Sequence, residues 1–89
     1  MNLSASWGLE IDPGVFKSLR KLPRKDAQRL LEAIRLFPED PYAGDVVKMQ
    51  GVLDSLRRRI GAYRILYKLL KPERKIVVFR IARRTSATY

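Results

Sequence analysis

The spacing of apolar residues changes along this chain from a helical period to that of strands, and this change most constrains the fold. Between residues 12 and 38, apolar side chains recur every three or four positions. Between residues 55 and 82, they alternate with other residues or form nearly unbroken runs. Helices that precede a group of strands in this way are typical of an α+β domain.

Two helices bounded by prolines are predicted in the first half. Asp12 and Pro13 begin the first as N-cap and first helical residue. Pro23 separates the helices and Pro38 ends the second. Because only one or two residues connect them, we expect an antiparallel helical hairpin. The predicted core-facing residues are Val15, Phe16, Leu19 and Leu22 in the first helix and Ala27, Leu30, Leu31, Ile34 and Phe37 in the second.

The remaining apolar segments predict a small sheet. The last of them, IVVFRIA, is almost wholly apolar, which suits a strand inside the sheet that is buried on both faces. No repeat, linker or low-complexity tract interrupts the chain. We therefore predict a single domain over residues 1–89, in which a helical hairpin packs on a small, mainly antiparallel twisted sheet. The predicted extended segments are 4–11, a short piece at 46–49, and longer strands at 55–60, 63–70 and 75–82.

The segment SLRRRIGAYRI, residues 55–65, has the pattern of a β-hairpin that is rich in arginine. Glycine followed by alanine suits a two-residue type II′ turn. Cross-strand partners share a face of the sheet, so this turn places Arg57, Arg59 and Arg64 together on one face. Arg58 falls on the core side and must reach an edge of the sheet, unless a bulge shifts the register.

Charge and composition narrow the function. The net charge is +10, and residues 46–89 contain twelve Lys and Arg but only two Asp and Glu. This asymmetry indicates a polyanionic partner such as nucleic acid, an anionic membrane or an acidic protein, or else merely a basic surface. Three converging guanidinium groups favour an anion site, because they match phosphate bidentately.

The composition and the apolar runs exclude several kinds of site and segment. The chain has no cysteine and no histidine, which excludes disulfides, thiolate metal sites and a histidine general base. No apolar run is long enough to span a membrane, and the N-terminus lacks the pattern of a signal peptide. We therefore expect a cytoplasmic protein.

Over nearly its whole length the sequence resembles the RelE/ParE superfamily of toxins, and within it the RelE-like mRNA interferases. The resemblance is carried by the order and spacing of FKSLRKLP, DPYAGDVVKMQG, LRRRIGAYRILYKL, KIVVFRIA and RRTSATY. It implies two N-terminal helices on a small sheet. It also implies an endoribonuclease that cleaves mRNA in the ribosomal A site, beside 16S rRNA, and a RelB-like antitoxin as partner.

The reaction that this resemblance implies is a transesterification without metal or cofactor. The ribose 2′-hydroxyl attacks the adjacent phosphate and leaves a 2′,3′-cyclic phosphate and a 5′-hydroxyl. Because arginine is a poor general base, Tyr89, Lys48 or a ribosomal RNA group would accept the proton. The family pattern assigns the catalytic roles to Arg57, Arg59, Arg64, Arg83 and Tyr89, with Arg84 as the alternative to Arg83. Contacts to RNA are expected from Lys48, Arg74, Lys75 and Arg84.

Two alternative functions remain open at the level of sequence. One is a ParE-like poison of DNA gyrase without nuclease activity; such members generally lack the basic catalytic set and have longer helical hairpins. The other is a non-enzymatic, basic RNA-binding module, which the small number of aromatic residues available for base stacking disfavours.

Overall fold

The computed structural model describes residues 6–49, 51 and 54–83. In these residues two helices cover one face of a five-stranded sheet, so the predicted α+β fold class is confirmed. The elements in chain order are β1 (Gly8–Ile11), α1 (Pro13–Arg20), α2 (Arg24–Leu36), β2 (Val46–Lys48), β3 (Ser55–Ile60), β4 (Tyr63–Leu70) and β5 (Lys75–Arg83).

Both helices begin where the prolines predict. The side chain of Asp12 accepts a hydrogen bond of 2.8 Å from the backbone N–H of Gly14, which caps α1. Pro13 is the first residue of α1, where its missing N–H costs nothing. α2 begins after Pro23 without a side-chain cap. The short connection makes the two helices neighbours, as expected for a helical hairpin.

The strands lie in the order β1-β5-β4-β3-β2. β1 pairs with β5 in parallel, whereas the other three pairings are antiparallel. β1 is shorter than predicted, because Trp7 lies before it and donates its backbone N–H to the carbonyl of Pro38. The first two residues of the predicted strand, 4 and 5, lie outside the described residues. The prediction of a mainly antiparallel sheet is confirmed.

The core lies between the helices and the inner face of the sheet. Tyr67 is fully buried at its centre and stacks on Phe37, with ring centroids 4.2 Å apart. Its hydroxyl donates to the backbone carbonyl of Pro41, which satisfies the one polar atom of the side chain. The other buried apolar residues are Val15, Leu19, Leu30, Ile34, Leu56, Tyr63, Ile65, Leu69, Ile76 and Val78.

One irregularity interrupts the pairing of β4 with β5. Leu66 pairs with Arg80, but the next residue, Tyr67, pairs with Val78, so Phe79 has no partner. This is a one-residue β-bulge, and it reverses the alternation of side chains along β5. Before the bulge the even-numbered residues face the core, whereas beyond it the odd-numbered residues do.

β5 is an interior strand, as predicted, but only one of its faces is fully buried. Ile76 and Val78 are inaccessible on the helix side. On the other face Val77 is half-buried and Arg80 is exposed. The two helices are both on the same side of the sheet, so no described helix covers the second face. No helix in the described ranges combines the length and the apolar character that a bilayer crossing requires.

Candidate nucleic-acid interface

The arginine hairpin forms with the predicted turn and register. Gly61 has a φ of +56°, and Ala62 does not have a positive φ, as a type II′ turn requires. Arg59 pairs directly with Arg64, and Arg57 pairs with Leu66. These residues alternate with the buried residues of β4, so the three arginines share the face of the sheet opposite the helices. We call this surface the cationic face.

Few carboxylates neutralise the cationic face. All nine Asp and Glu residues of the chain fall within the described ranges. Asp45 lies at its edge with Oδ2 3.9 Å from Nε of Arg59, and both side chains are more than half exposed. An exposed pair at this distance contributes little. Asp54, the acid nearest to the cluster in sequence, lies beside Lys71 instead.

Arg57 and Arg64 have no salt bridge with any residue in the described part of the chain. Both are half-buried, so their guanidinium groups are held near the sheet. Guanidinium remains protonated throughout the ordinary pH range. The two side chains therefore present fixed positive charge and unused hydrogen-bond donors to solvent, which suits an anionic ligand.

Arg58 does not belong to this cluster. It pairs with Ile65 and Val46 on the core side, as the alternation predicts. Its guanidinium reaches the edge of the sheet, where Nη1 donates a hydrogen bond of 2.6 Å to the carbonyl of Ala43. β3 itself contains no register shift. Of the two solutions that the sequence left open, the structure has the edge contact.

Arg83 lies on the other face of the sheet from Arg57, Arg59 and Arg64. It pairs with Tyr63, and its guanidinium carbon is 5.8 Å from the centre of the Tyr63 ring, within the range of a cation–π contact. In the structure Arg83 therefore does not converge with the hairpin arginines. The physical reason is the bulge at Phe79, which reverses the facing of every residue after it.

Tyr63 also connects the hairpin to the helices. Its hydroxyl donates a hydrogen bond of 2.7 Å to Oδ2 of Asp26, in the first turn of α2. This bond to Asp26 raises the pKa of Tyr63, as does burial of the ring, whereas the charge of Arg83 opposes the shift. Burial raises the pKa of the neighbouring core residue Tyr67 to about 12. Both hydroxyls are therefore held in their protonated form.

Lys48 lies at the edge of the sheet. Its partner Leu56 faces the core, so the register places Lys48 on the helix side. It is nevertheless exposed, and together with Val47, Met49 and Arg57 it lines a shallow hollow of 460 Å³. The lysine therefore borders the cationic face without being part of it.

Two of the other predicted RNA contacts, Arg74 and Lys75, lie away from the hairpin. The guanidinium carbon of Arg74 is 5.1 Å from the centre of the Trp7 ring. Lys75 is on the cationic face, but its Nζ lies 3.1 Å from Oε1 of Glu10. The predictions for Arg84 and Tyr89 fall outside the described residues.

Sequence reasoning missed two cations on the cationic face. Lys68 faces it from β4, and Arg80 faces it from β5 because Arg80 pairs with Leu66. Lys68 could have been found from the alternation of β4. Arg80 could not, since strict alternation along β5 would place it with Val78 on the core side.

A second surface feature is a groove of 610 Å³ on the helical hairpin. Phe16, predicted to be a core residue, is 40% exposed there. Val15 and Leu19 occupy the face of α1 turned toward the sheet, and Phe16 lies about 100° around the helix from Val15. The groove is lined by Phe16, Leu19, Arg20, Leu22, Arg24, Ala27, Gln28 and Leu31.

Within the described ranges, no group of three or more Asp and Glu residues is placed to hold a metal ion. The cations described on the cationic face are guanidinium and ammonium groups. These groups bind anions and stabilise developing negative charge.

Comparisons with known proteins agree with this fold. The profile of a family described as the ParE toxin of the type II toxin–antitoxin system parDE matches residues 9–87. A protein of Methanocaldococcus jannaschii named "Putative toxin RelE1" is 30% identical over 84 residues, covering 91% of this chain and 93% of that protein.

Solved structures lead to the same family. The archaeal RelE–RelB complex from Pyrococcus horikoshii OT3 contains a chain with a TM-score of 0.79 and 27% identity; the match covers 91% of this chain and 98% of that one. The isolated E. coli RelE toxin has the same fold, with a TM-score of 0.77 at 19% identity, over 93% of this chain and 89% of that one. The chain belongs to the RelE/ParE superfamily of type II toxin–antitoxin toxins, and it is RelE-like.

Proposed function

We propose that this toxin is a metal-independent endoribonuclease that cleaves mRNA in the ribosomal A site. The observation that carries the proposal is the direct pairing of Arg59 with Arg64, with Arg57 in the next row of the same face. Like charges paired across strands destabilise a sheet. An anion bound between them removes that repulsion, and an RNA phosphate has the charge and geometry for it.

In the proposed reaction the 2′-hydroxyl of a ribose attacks the adjacent phosphate, and the P–O5′ bond breaks. The products are a 2′,3′-cyclic phosphate and a 5′-hydroxyl, so the proton of the attacking hydroxyl leaves and the 5′-oxygen gains one. Arg64 stabilises the extra negative charge of the pentacovalent phosphorane. Arg57 and Arg59 hold the neighbouring backbone. Donors fixed in place before the reaction supply the largest share of such stabilisation.

The proton acceptor is a separate question. Tyr63 and Tyr67 are unsuited to the role, because the pKa of each is raised and each hydroxyl already donates to another group. The candidates from the sequence are Tyr89, Lys48 and a group of the ribosomal RNA. Comparing Tyr89→Phe with Lys48→Met separates them, since only loss of the acceptor changes the pH dependence of the cleavage rate.

The second phosphate-binding arginine of the family pattern is Arg83 or Arg84. Because Arg83 faces Tyr63 rather than the cationic face, we assign the role to Arg84. We expect Arg84→Ala to lose cleavage and Arg83→Ala to retain most of it. Loss of cleavage in Arg83→Ala with unchanged thermal stability would reverse the assignment.

The proposal is tested by primer extension on mRNA in translating ribosomes. The wild-type protein should produce cuts in the A-site codon without added metal. Arg64→Ala should reduce cutting at least about 100-fold, the effect of removing one preorganised donor to a developing oxyanion. Arg35→Ala is the matched control, because it removes an exposed arginine from the last turn of α2. Full activity in Arg64→Ala would exclude the assigned role.

The proposed partner is a RelB-like antitoxin. The P. horikoshii structure is that of a RelE–RelB complex. In this chain, an acidic segment suits the cationic face and an amphipathic helix suits the groove on the helical hairpin. We expect Phe16→Ala to weaken binding of the cognate antitoxin in isothermal titration while leaving cleavage unchanged. Equal affinity of the two forms would exclude the groove from the interface.

A second candidate function is inhibition of DNA gyrase, which the match to the ParE family profile favours. That activity does not depend on phosphoryl chemistry at Arg64. If the second function is correct, Arg64→Ala remains toxic and the breaks appear in DNA only when gyrase is present. A-site cuts in RNA that disappear in this variant support the ribonuclease instead.

A further inference from the structure

Arg80 is brought to the cationic face by the bulge at Phe79. Leu66 on β4 pairs with Arg57 on one side and with Arg80 on the other. The three side chains therefore form one row across β3, β4 and β5. Without the unpaired residue, Arg80 would follow Val78 onto the core face. Bulges beside functional sites commonly serve to redirect a side chain in this way.

The row that contains Arg80 runs beside the row of Arg59 and Arg64. Two strand spacings separate Arg57 from Arg80, so their Cα atoms are about 10 Å apart. Adjacent rows on one face are separated by two residues, or about 7 Å along the strands. Arg64 lies on β4 between the strands of Arg57 and Arg80. The three arginines thus mark the corners of a triangle on one surface.

No carboxylate of the described residues compensates Arg80. It has no salt bridge with any residue that the structure describes, and it is exposed. Glu10 of β1 lies on this face, because it pairs with Val77, which faces the same way. Its carboxylate already forms a salt bridge with Lys75. Among the residues that the structure describes, the half-buried apolar side chain of Leu66 lies between Arg57 and Arg80. An extended anion can therefore lie flat across the row.

We propose that Arg57 and Arg80 form a second phosphate-binding row, which holds the backbone phosphate of single-stranded RNA next to the one at Arg64. This inference rests on the proposed function for its substrate, and Arg80 acts as a binding residue rather than a catalytic one. Guanidinium groups in two rows bind successive phosphates of one strand and fix its direction across the sheet. Such contacts position the backbone without reading its sequence.

The salt dependence of RNA binding tests this assignment. The probe is a single-stranded 2′-O-methyl oligonucleotide, which lacks the attacking hydroxyl, and binding is followed by fluorescence anisotropy across a range of KCl concentrations. Loss of one phosphate contact in Arg80→Gln should reduce the slope of log K against log[salt] by about 0.7. Arg80→Lys, which keeps the charge, should retain the slope. Arg35→Gln removes the same charge from α2 and should not change it.

Cleavage on ribosomes gives the second readout. Arg80→Gln should raise KM more than it lowers kcat, because it loses ground-state binding of the substrate. Suppose that the wild-type protein cleaves RNA but that Arg80→Gln and Arg35→Gln have identical salt slopes. The proposed second phosphate-binding row is then wrong, and the proposed ribonuclease activity stands. If the wild-type protein never cleaves RNA but Arg80→Gln still lowers the salt slope of binding, the proposed ribonuclease activity is wrong and the phosphate-binding row stands.

Discussion

At the scale of single residues, the loop before β2 decides where Arg58 goes. The guanidinium of this core-side arginine leaves the core and bonds to the carbonyl of Ala43. Its Nε is buried and has no hydrogen bond with a described residue. The space for it exists because residue 44 is glycine: a Cβ there would overlap the Arg58 guanidinium. Gly44 also has a φ of +85°, which other residues rarely adopt.

Two glycines allow the contribution of this contact to be measured. Gly44 and Gly51 both have a positive φ, but a Cβ at Gly51 would meet no atom of the described residues within 4 Å. We expect Gly51→Ala to cost about 1 kcal/mol of unfolding free energy, from the backbone alone. Gly44→Ala should cost at least about 2 kcal/mol, because Arg58 must also move. Urea denaturation measures both. Equal losses would show that Arg58 is not constrained by the loop.

At the scale of elements, α2 is attached to the arginine hairpin through one hydrogen bond. Tyr63 follows the turn of the hairpin directly, and its hydroxyl donates to Asp26 of α2. The ring of Tyr63 is buried and lies under the guanidinium of Arg83. Arg64 is the next residue in the chain. The bond therefore fixes the helix layer relative to the strand that presents the central arginine.

A double-mutant cycle tests this attachment. Tyr63→Phe and Asp26→Asn should each lower Tm, and the double variant should lower it by less than the sum of the two, because the residues share one bond. Tyr42→Phe is the control, since Tyr42 is 53% exposed and should be nearly neutral. Strictly additive effects of Tyr63→Phe and Asp26→Asn would contradict the proposed connection between α2 and β4.

At the scale of the whole molecule, the excess positive charge lies in the second half of the chain. Residues 1–45, which contain both helices, have seven basic and seven acidic residues, whereas the strands of the second half carry the excess. One face of the sheet is closed by the helices around Tyr67. The other face is basic, and no helix or strand in the described ranges covers it. The same sheet therefore provides a dry core on one side and an anion-binding surface on the other.

Burial of Tyr67 predicts how the molecule responds to alkaline pH. Its pKa is raised from 10.0 to about 12 in the folded protein. Between these values the unfolded chain releases this proton and the folded chain keeps it, so stability falls as pH rises from 10 toward 12. Allowing for partial solvent screening, the loss is on the order of 2 kcal/mol.

Urea denaturation at pH 9 and pH 11.5 measures this loss. Tyr67→Phe is less stable at pH 9, because it leaves the carbonyl of Pro41 without its partner. It should nevertheless lose less stability than the wild type between the two pH values. A pH dependence that Tyr67→Phe leaves unchanged would assign the alkaline instability to other groups.

The sequence by itself determined the helices and the facing of the arginine hairpin. Proline and aspartate fix the helix boundaries locally, and a two-residue turn with glycine at its first position leaves one register for the strands beside it. Arg57, Arg59 and Arg64 follow from that register alone. These are short-range constraints, so they can be read from neighbouring residues.

Only the tertiary structure decided which arginine of β5 joins the hairpin arginines on the cationic face. The bulge at Phe79 lies directly after Val78, the last residue of β5 that pairs with β1, at a point where the pairing of β5 with β4 continues. No local pattern marks it, because IVVFRIA is almost wholly apolar and shows no regular alternation that a bulge would interrupt. The bulge reverses the alternation, so that Arg80 faces the open side and Arg83 the helix side. Strict alternation along β5 would place Arg83 on the cationic face. Because Phe79 is left unpaired, Arg80 lies there instead.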